Sequence, residues 1–187
     1  MAEVVAGIAA SHVPFMAMHP QFELAEEGQR NRVVAGMGEA RKIVEHARPD
    51  AIVIFSTDHF DRCFYDNLPP FLVGVGEYAE GPIAEWMRLP KVKLKIASDL
   101  AQFIVSEGLD NGVDFASSQE LPLDHAEVVP LSFITPRWDI PIVPVVVNAF
   151  APPMPSLKRC WQVGAFVRET IERWCRDELA PRERNAR

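Results

Sequence analysis

Several things are scarce or missing in this chain, and each narrows what it can be. Three cysteines, Cys63, Cys160 and Cys175, are too few and too scattered for a disulfide framework, and no CxxC pair occurs. They are read as reduced thiols in a cytoplasmic protein. Basic residues are outnumbered, Lys+Arg 19 against Asp+Glu 26, and the net charge is −7. Nucleic acid is therefore not expected as a partner, because phosphate binding needs a basic face. No apolar run approaches the roughly 20 residues of a membrane span, and no membrane partner is expected. Met1-Ala2-Glu3 lacks the basic start of a secretory signal. No GxSxG elbow, Walker A loop or GxGxxG stretch is present, so hydrolase-triad and nucleotide-fold readings lack their motifs. No internal repeat or low-complexity tract is visible.

What is there fits one soluble globular domain. The chain has 187 residues, 48% hydrophobic and 24% charged, long enough for a substantial core. Its organising stretch is AIVIFSTDHF, Ala51 to Phe60. The apolar run without clean alternation reads as a strand buried on both faces of a parallel sheet. Asp58 and His59 follow where the run stops, and ligands of open α/β sheets bind beyond the carboxyl ends of strands. Val4 to Ala10 reads as an earlier strand, ending in Ser11-His12-Val13-Pro14. Glu23 to Ala47 lies between them with apolar residues at Val33, Met37, Ala40, Val44 and Ala47, the spacing of a helix. A β-α-β crossover of this kind is right-handed and its strands are parallel. His12 and His59 would then share one sheet edge and could converge on one metal. Imidazole suits Zn, Cu, Fe and Ni, and two His plus one carboxylate is the non-haem Fe(II) pattern.

Further along, aromatics Phe60, Phe64, Tyr65 and Phe71 with Pro69-Pro70 suggest a loop packed over the strand exit, then a short strand over Phe71 to Val75. Glu77 to Pro90 reads as a polar connection, Lys91 to Glu107 as a helix closed by Gly108, and Val113 to Ser117 as a short strand. Asp124-His125 precedes a helical turn, with Asp124 a candidate N-cap. Ile140 to Phe150 is a strong strand whose Pro141 and Pro144 suggest a start or an edge. Ser156 would cap a last helix, Leu157 to Arg176, with a stripe at Leu157, Trp161, Gly164, Val167, Ile171 and Trp174. Asp177 to Arg187 is charged, aperiodic and expected to be disordered. The fold class is therefore α/β, three layers, a mostly parallel sheet with helices on both faces, one domain over residues 1–176.

Of five histidines, His46 sits in the last turn of the first helix and suits its dipole. His19 lies in a loop with no assigned role. His12, His59 and His125 stand at the ends of apolar segments and form the candidate site.

SHVP at Ser11 to Pro14, TDHF at Thr57 to Phe60, FYDNLPPFLVGVG at Phe64 to Gly76, LDHAEVVPL at Leu123 to Leu131 and the segment VVPVVVNAFAPPMPSLKRC occur in one order along nearly the whole chain. Together they resemble the class III extradiol ring-cleavage dioxygenases, the family of the protocatechuate 4,5-dioxygenase β subunit and the 2,3-dihydroxyphenylpropionate dioxygenases. The resemblance implies Fe(II), with His12 and His59 as ligands and His125 as the acid–base residue. It implies opening of a catechol-type ring with O₂ in aromatic catabolism. It also implies a later strand, a GGxSH-like segment with a further histidine, and a glutamate as third ligand. None is matched here, so the chain is expected to be incomplete relative to the family and its activity impaired. Asp58 or Asp61 would be the substitute ligand, or another subunit would complete the site. An absent sheet element would leave an edge needing cover, so an oligomer is expected. The competing readings are a non-catalytic homologue serving as a binding or assembly subunit, and a Zn-dependent hydrolase. Arg62, Lys158 and Arg159 are the basic residues nearest the motifs, read as solvated surface charges.

Overall fold

The computed structural model describes residues 2–18, 21–87 and 89–174. His19, Cys175 and the charged tail lie outside them. Among the described residues, four α-helices, α1 (Glu27–Ala47), α2 (Ser98–Asp110), α3 (His125–Ile134) and α4 (Leu157–Arg173), accompany six strands. The strands are β1 (Ile52–Thr57), β2 (Phe71–Gly74), β3 (Tyr78–Gly81), β4 (Val92–Lys95), β5 (Ala116–Ser118) and β6 (Ile142–Val147). The main sheet has the order β1-β6-β2-β5, and β3 and β4 form a separate antiparallel ladder. β1 is parallel to β6 and β2 to β5, while β2 meets β6 antiparallel. This is an α/β fold with a mostly parallel, mixed sheet.

Residue pattern explains the layering. Helix α1 turns Met37 and Val44 inward against Val129 and Ile134 of α3. It stops at Arg48, whose backbone takes a left-handed φ of 46° and donates its N–H to the Val44 carbonyl. Helices α2 and α4 pair with each other, contributing Ala101, Ile104, Val163 and Val167 to the main core. Strand β6 buries five residues in succession, as a central strand covered on both faces must. Pro144 sits inside this central strand, contrary to the expectation of an edge or start. Gly74 of β2 makes room for it: a Cβ there would lie 2.8 Å from Pro144 Cγ. Among the described residues no helix is long and apolar enough to cross a membrane.

Several other expectations are corrected. Residues 4–10 run without regular secondary structure and pair with no strand, so the predicted β-α-β crossover is not formed. Strand β1 is consequently an edge, not a strand buried on both faces, and its Phe55 is 47% exposed. The helix read over Lys91 to Glu107 begins only at Ser98. Before it, Val92–Lys95 alternates out and in as a strand and pairs with β3, which lies inside the supposed polar connection. Gly108 is not the terminator either. It lies within α2, where a Cβ would come 2.9 Å from the Phe115 ring. On α4, Leu157 and Trp161 of the expected stripe are 89% and 75% exposed, whereas its Val167 is buried and its Ile171 packs against the core, joined there by Val163.

The small β3–β4 ladder has a positional task. Glu80 accepts the Leu123 N–H at 2.7 Å and Leu123 accepts the Ile83 N–H at 2.9 Å, so the ladder pins the residue before Asp124. Gly81 permits this approach, since a Cβ there would sit 2.6 Å from Leu123 Cβ and collide with its carbonyl. Gly81→Ala is expected to lower stability by about 1–3 kcal/mol. Gly36→Ala, on α1 with nothing near its Cβ position, should raise it by about 0.5–1 kcal/mol. Urea midpoints of the two variants check both signs.

Candidate metal centre

The site is assembled where β1 ends and α3 begins. After Thr57 the chain turns sharply, with Phe60 at a left-handed φ of 64°, a conformation that costs about 1–3 kcal/mol for a side-chain-bearing residue. Asp58 holds the turn: its carboxylate accepts the N–H of Phe60 at 3.1 Å and of Cys63 at 3.3 Å. It also accepts Arg62 Nε at 3.0 Å. Across the gap, Asp124 caps α3 in a reciprocal box. Its side chain accepts the His125 N–H while Glu127 accepts the Asp124 N–H at 2.8 Å. The other Glu127 oxygen takes Arg62 Nη1 at 2.8 Å and the Ser56 hydroxyl. The Arg62 side chain, 2% exposed, thus locks the β1 exit to the start of α3.

That frame brings three imidazoles together. Ring centroids lie 5.1 Å apart for His12 and His59, 5.8 Å for His12 and His125, and 4.1 Å for His59 and His125. A ligand atom from each lies within 4.8 Å of the others. Asp124 sits behind two of them. One oxygen is 2.6 Å from His59 Nδ1, and the other is 2.5 Å from His125 Nδ1, though off the line of a hydrogen bond. With Nδ1 of both rings turned to the carboxylate, Nε2 is the nitrogen left to each for a ligand. A carboxylate behind an imidazole fixes its tautomer and orientation for a metal.

The electrostatics follow from this arrangement. The hydrogen bond to Asp124 raises the His59 pKa above its ordinary 6.5, against the opposing effect of burial. Burial, then the neighbouring His59 and His125, lowers that of His12. Burial would raise the Asp124 pKa, but its bonds to His125 and His59 outweigh it and hold the carboxyl well below the usual range. Burial and the nearby Asp124 raise Asp61. Burial opposes the charge on Arg62, yet Glu127 and Asp58 keep its pKa raised.

The structure therefore gathers His12, His59 and His125 in one cleft, as the sequence predicted. Asp61 joins them through a second potential ligand group with Asp124 and His125. Asp58 does not: both of its oxygens are engaged with Arg62 and the turn. Arg62 is a buried structural cation, not a surface charge. Phe60, next to His59, meets Phe64 and Tyr65 edge to face, but Phe71 belongs to the main core. Phe150, which pattern reading passed over, meets both His59 and Phe60. His46 stays exposed in the last turn of α1.

A pH signature should follow in the metal-free protein. His59, with its pKa raised by folding, contributes stability that is full below 6.5 and is lost as pH rises through the folded value. Asp124 contributes stability present above 3.8 and lost as pH falls toward its depressed value. Asp124→Asn keeps a capping side chain but removes the charge. The His59 pKa should fall in this variant, read from its ring resonances in an NMR titration.

The sequence comparisons accord with this geometry. The model of the family described as the catalytic LigB subunit of aromatic ring-opening dioxygenase matches residues 6–180. A protein named 2,3-dihydroxyphenylpropionate/2,3-dihydroxicinnamic acid 1,2-dioxygenase from Klebsiella pneumoniae subsp. pneumoniae MGH 78578 is 32% identical over 156 residues, 82% of this chain and 47% of that one. Proteins of the same name from Xanthobacter autotrophicus and Mycolicibacterium paratuberculosis are 33% and 35% identical, over 86% and 84% of this chain but 49% and 48% of theirs. The chain spans about half the length of these relatives. It belongs to the LigB family of aromatic ring-opening dioxygenases, the class III extradiol enzymes.

Proposed function

We propose that this chain carries the metal-binding part of an Fe(II)-dependent dioxygenase that opens a catechol-type ring beside its two hydroxyls, using O₂. The observation that carries the reading is the convergence of His12, His59 and His125 with Asp124 behind two of them. The donor set fits iron: three imidazoles, of which His59 and His125 turn Nδ1 to Asp124 and His12 has a pKa lowered by burial, and a carboxylate, Asp61, in the adjoining ligand group. When bound, Fe(II) would supply the redox chemistry that makes O₂ reactive and the coordination that holds both reactants.

The chain's own residues have separate tasks in this reading. His12 and His59 hold the metal, His59 through the Nε2 left free by its contact with Asp124. Asp124 keeps the proton of His59 on Nδ1, so that Nε2 stays a lone-pair donor. His125 remains the acid–base group, exchanging a proton at Nε2 with the reacting oxygen while Asp124 restrains its orientation. Phe60, Phe64, Tyr65 and Phe150 offer an aromatic wall that receives the substrate ring and limits water. Because the His59 proton must leave before the metal binds, affinity should rise with pH through the raised His59 value.

The test is anaerobic Fe(II) titration, followed by assay with 2,3-dihydroxyphenylpropionate, the substrate named for the relatives. His12→Ala and His59→Ala should each lose most of the bound iron. His125→Ala should retain it while ring opening falls by about 10²–10⁴-fold. Loss of iron in His125→Ala would make that residue a ligand. Iron bound by the wild type without any ring opening, even with the rest of a relative supplied, would favour the non-catalytic reading.

A further inference from the structure

Beyond the three imidazoles, aromatic side chains past the ends of β1 and β6 form a connected row. Thr57 and Val147 are register partners in these parallel strands, and Phe60 and Phe150 each stand three residues further on. Both therefore lie beyond the carboxyl ends of adjacent strands, where open α/β sheets bind ligands. The Phe150 ring meets His59 at 6.2 Å and Phe60 at 5.8 Å between centroids. Phe60 in turn meets Tyr65 at 5.1 Å and Phe64 at 5.8 Å. The row begins at an imidazole of the metal centre and ends at Phe64 and Tyr65.

These rings are exposed and also held in place. Tyr65 is 73% accessible and Phe150 60%. Single exposed rings are ordinary, but a connected exposed apolar patch marks a binding surface. Buried Asn148 fixes the Phe150 loop. Its side chain donates to the Ala151 and Pro153 carbonyls at 2.8 and 3.2 Å and accepts the Ala151 N–H at 3.2 Å. Asp58 fixes the turn in which Phe60 keeps its left-handed backbone. The Asn67 N–H closes the turn over Phe64 and Tyr65 on the Phe64 carbonyl at 2.9 Å. Loops with their own internal bonds thus present the row to solvent, and such pre-organisation lowers the cost of binding.

Length and charge narrow what the row would take. Aromatic partners contact each other at about 4.5–7 Å between centroids. A ligand ring beside His59 and Phe150 is one such step along the row, which leaves Phe60, Phe64 and Tyr65 for a second apolar group. The charges acting most on His59 come from Asp124, Asp61 and Asp58, carboxylates all. Asp66, exposed between Tyr65 and Asn67, adds another. Arg62 is no counter-charge for a ligand, because its side chain is 2% exposed and bound to Asp58 and Glu127. An anionic substituent lying along this row would meet like charge.

From these observations we infer, resting on the ring-opening reading proposed above, that the substrate is a catechol bearing an uncharged aromatic substituent, and that Phe150 and Tyr65 select for it. The catechol ring lies against Phe150 beside His59, and the substituent continues past Phe60 to Tyr65. A propionate side chain, as in the substrate named for the relatives, is accepted less well by this surface.

The experiment is calorimetric titration of the Fe(II)-loaded chain, kept anaerobic so that no ring opens, with catechol, 3-phenylcatechol and 2,3-dihydroxyphenylpropionate. The expected result is that 3-phenylcatechol binds about tenfold more tightly than either of the others. Tyr65→Ala and Phe150→Ala should each cut the ratio of 3-phenylcatechol to catechol affinity by about threefold or more, and Tyr65→Phe should keep it. Equal affinity for catechol and 3-phenylcatechol overturns the inference, as does tighter binding of the propionate. A preference that both alanine variants retain overturns it too, because the selecting surface then lies elsewhere. Sedimentation of the metal-free chain is run alongside. A dimer that Tyr65→Ala dissociates and 3-phenylcatechol does not would assign the row to a second copy and overturn the inference. If none of the three ligands binds in an iron-dependent way, the ring-opening reading fails with it. Iron-dependent binding of catechol without the aryl preference sinks the selectivity alone and leaves that reading standing.

Discussion

The carboxylate of Asp124 is the constraint on which the rest of this site depends. It is fully buried, faces Nδ1 of both His59 and His125, and caps α3 with its own backbone neighbour. Removing it from water is costly, and the cost is offset by the His125 N–H and the His59 imidazole, although Asp61 stands close by as a like charge. The same atoms that start a helix therefore orient two imidazoles. Fold and site share one interaction, so neither can be altered there without the other.

Around it a buried network carries the alignment outward. Arg62 joins Asp58 at the β1 exit to Glu127 in the first turn of α3. Buried ion pairs of this kind contribute little net stability when compared with apolar packing. Removing one partner is a different matter, because an unpaired charge is left in the interior. The network is better understood as a registration device, holding a strand end and a helix start at the separation that brings the histidines together.

How much of this was legible in the sequence differs from element to element. His12, His59 and His125 were identifiable because each follows an apolar run at a loop junction, and the structure gathers all three. The strand expected over residues 4–10 does not form, because apolar composition reports what a segment is suited to and not whether a neighbour pairs with it. VKLK at 92–95 alternates as a strand does. Leu94, Ala97, Leu100 and Ala101 also fit a helical spacing, and the two patterns overlapped at the boundary. Asp124 was recognisable as a cap, and Glu127 three residues later completes the D-x-x-E signature of a capping box. Its contact with His59, 65 residues away, is tertiary and had no local signal. Burial of Arg62 was hidden for the same reason, although its i,i+4 spacing from Asp58 was in plain view.

The central claim is that imidazoles of this chain, oriented by Asp124, hold one iron. X-ray absorption spectroscopy of the anaerobic Fe(II)-loaded protein tests it most directly, because imidazole rings give outer-shell scattering that carboxylates and water do not. The expected spectrum contains the scattering of two imidazoles and is unchanged in His125→Ala. A bound iron with no imidazole scattering, its ligands all oxygen, would contradict the account.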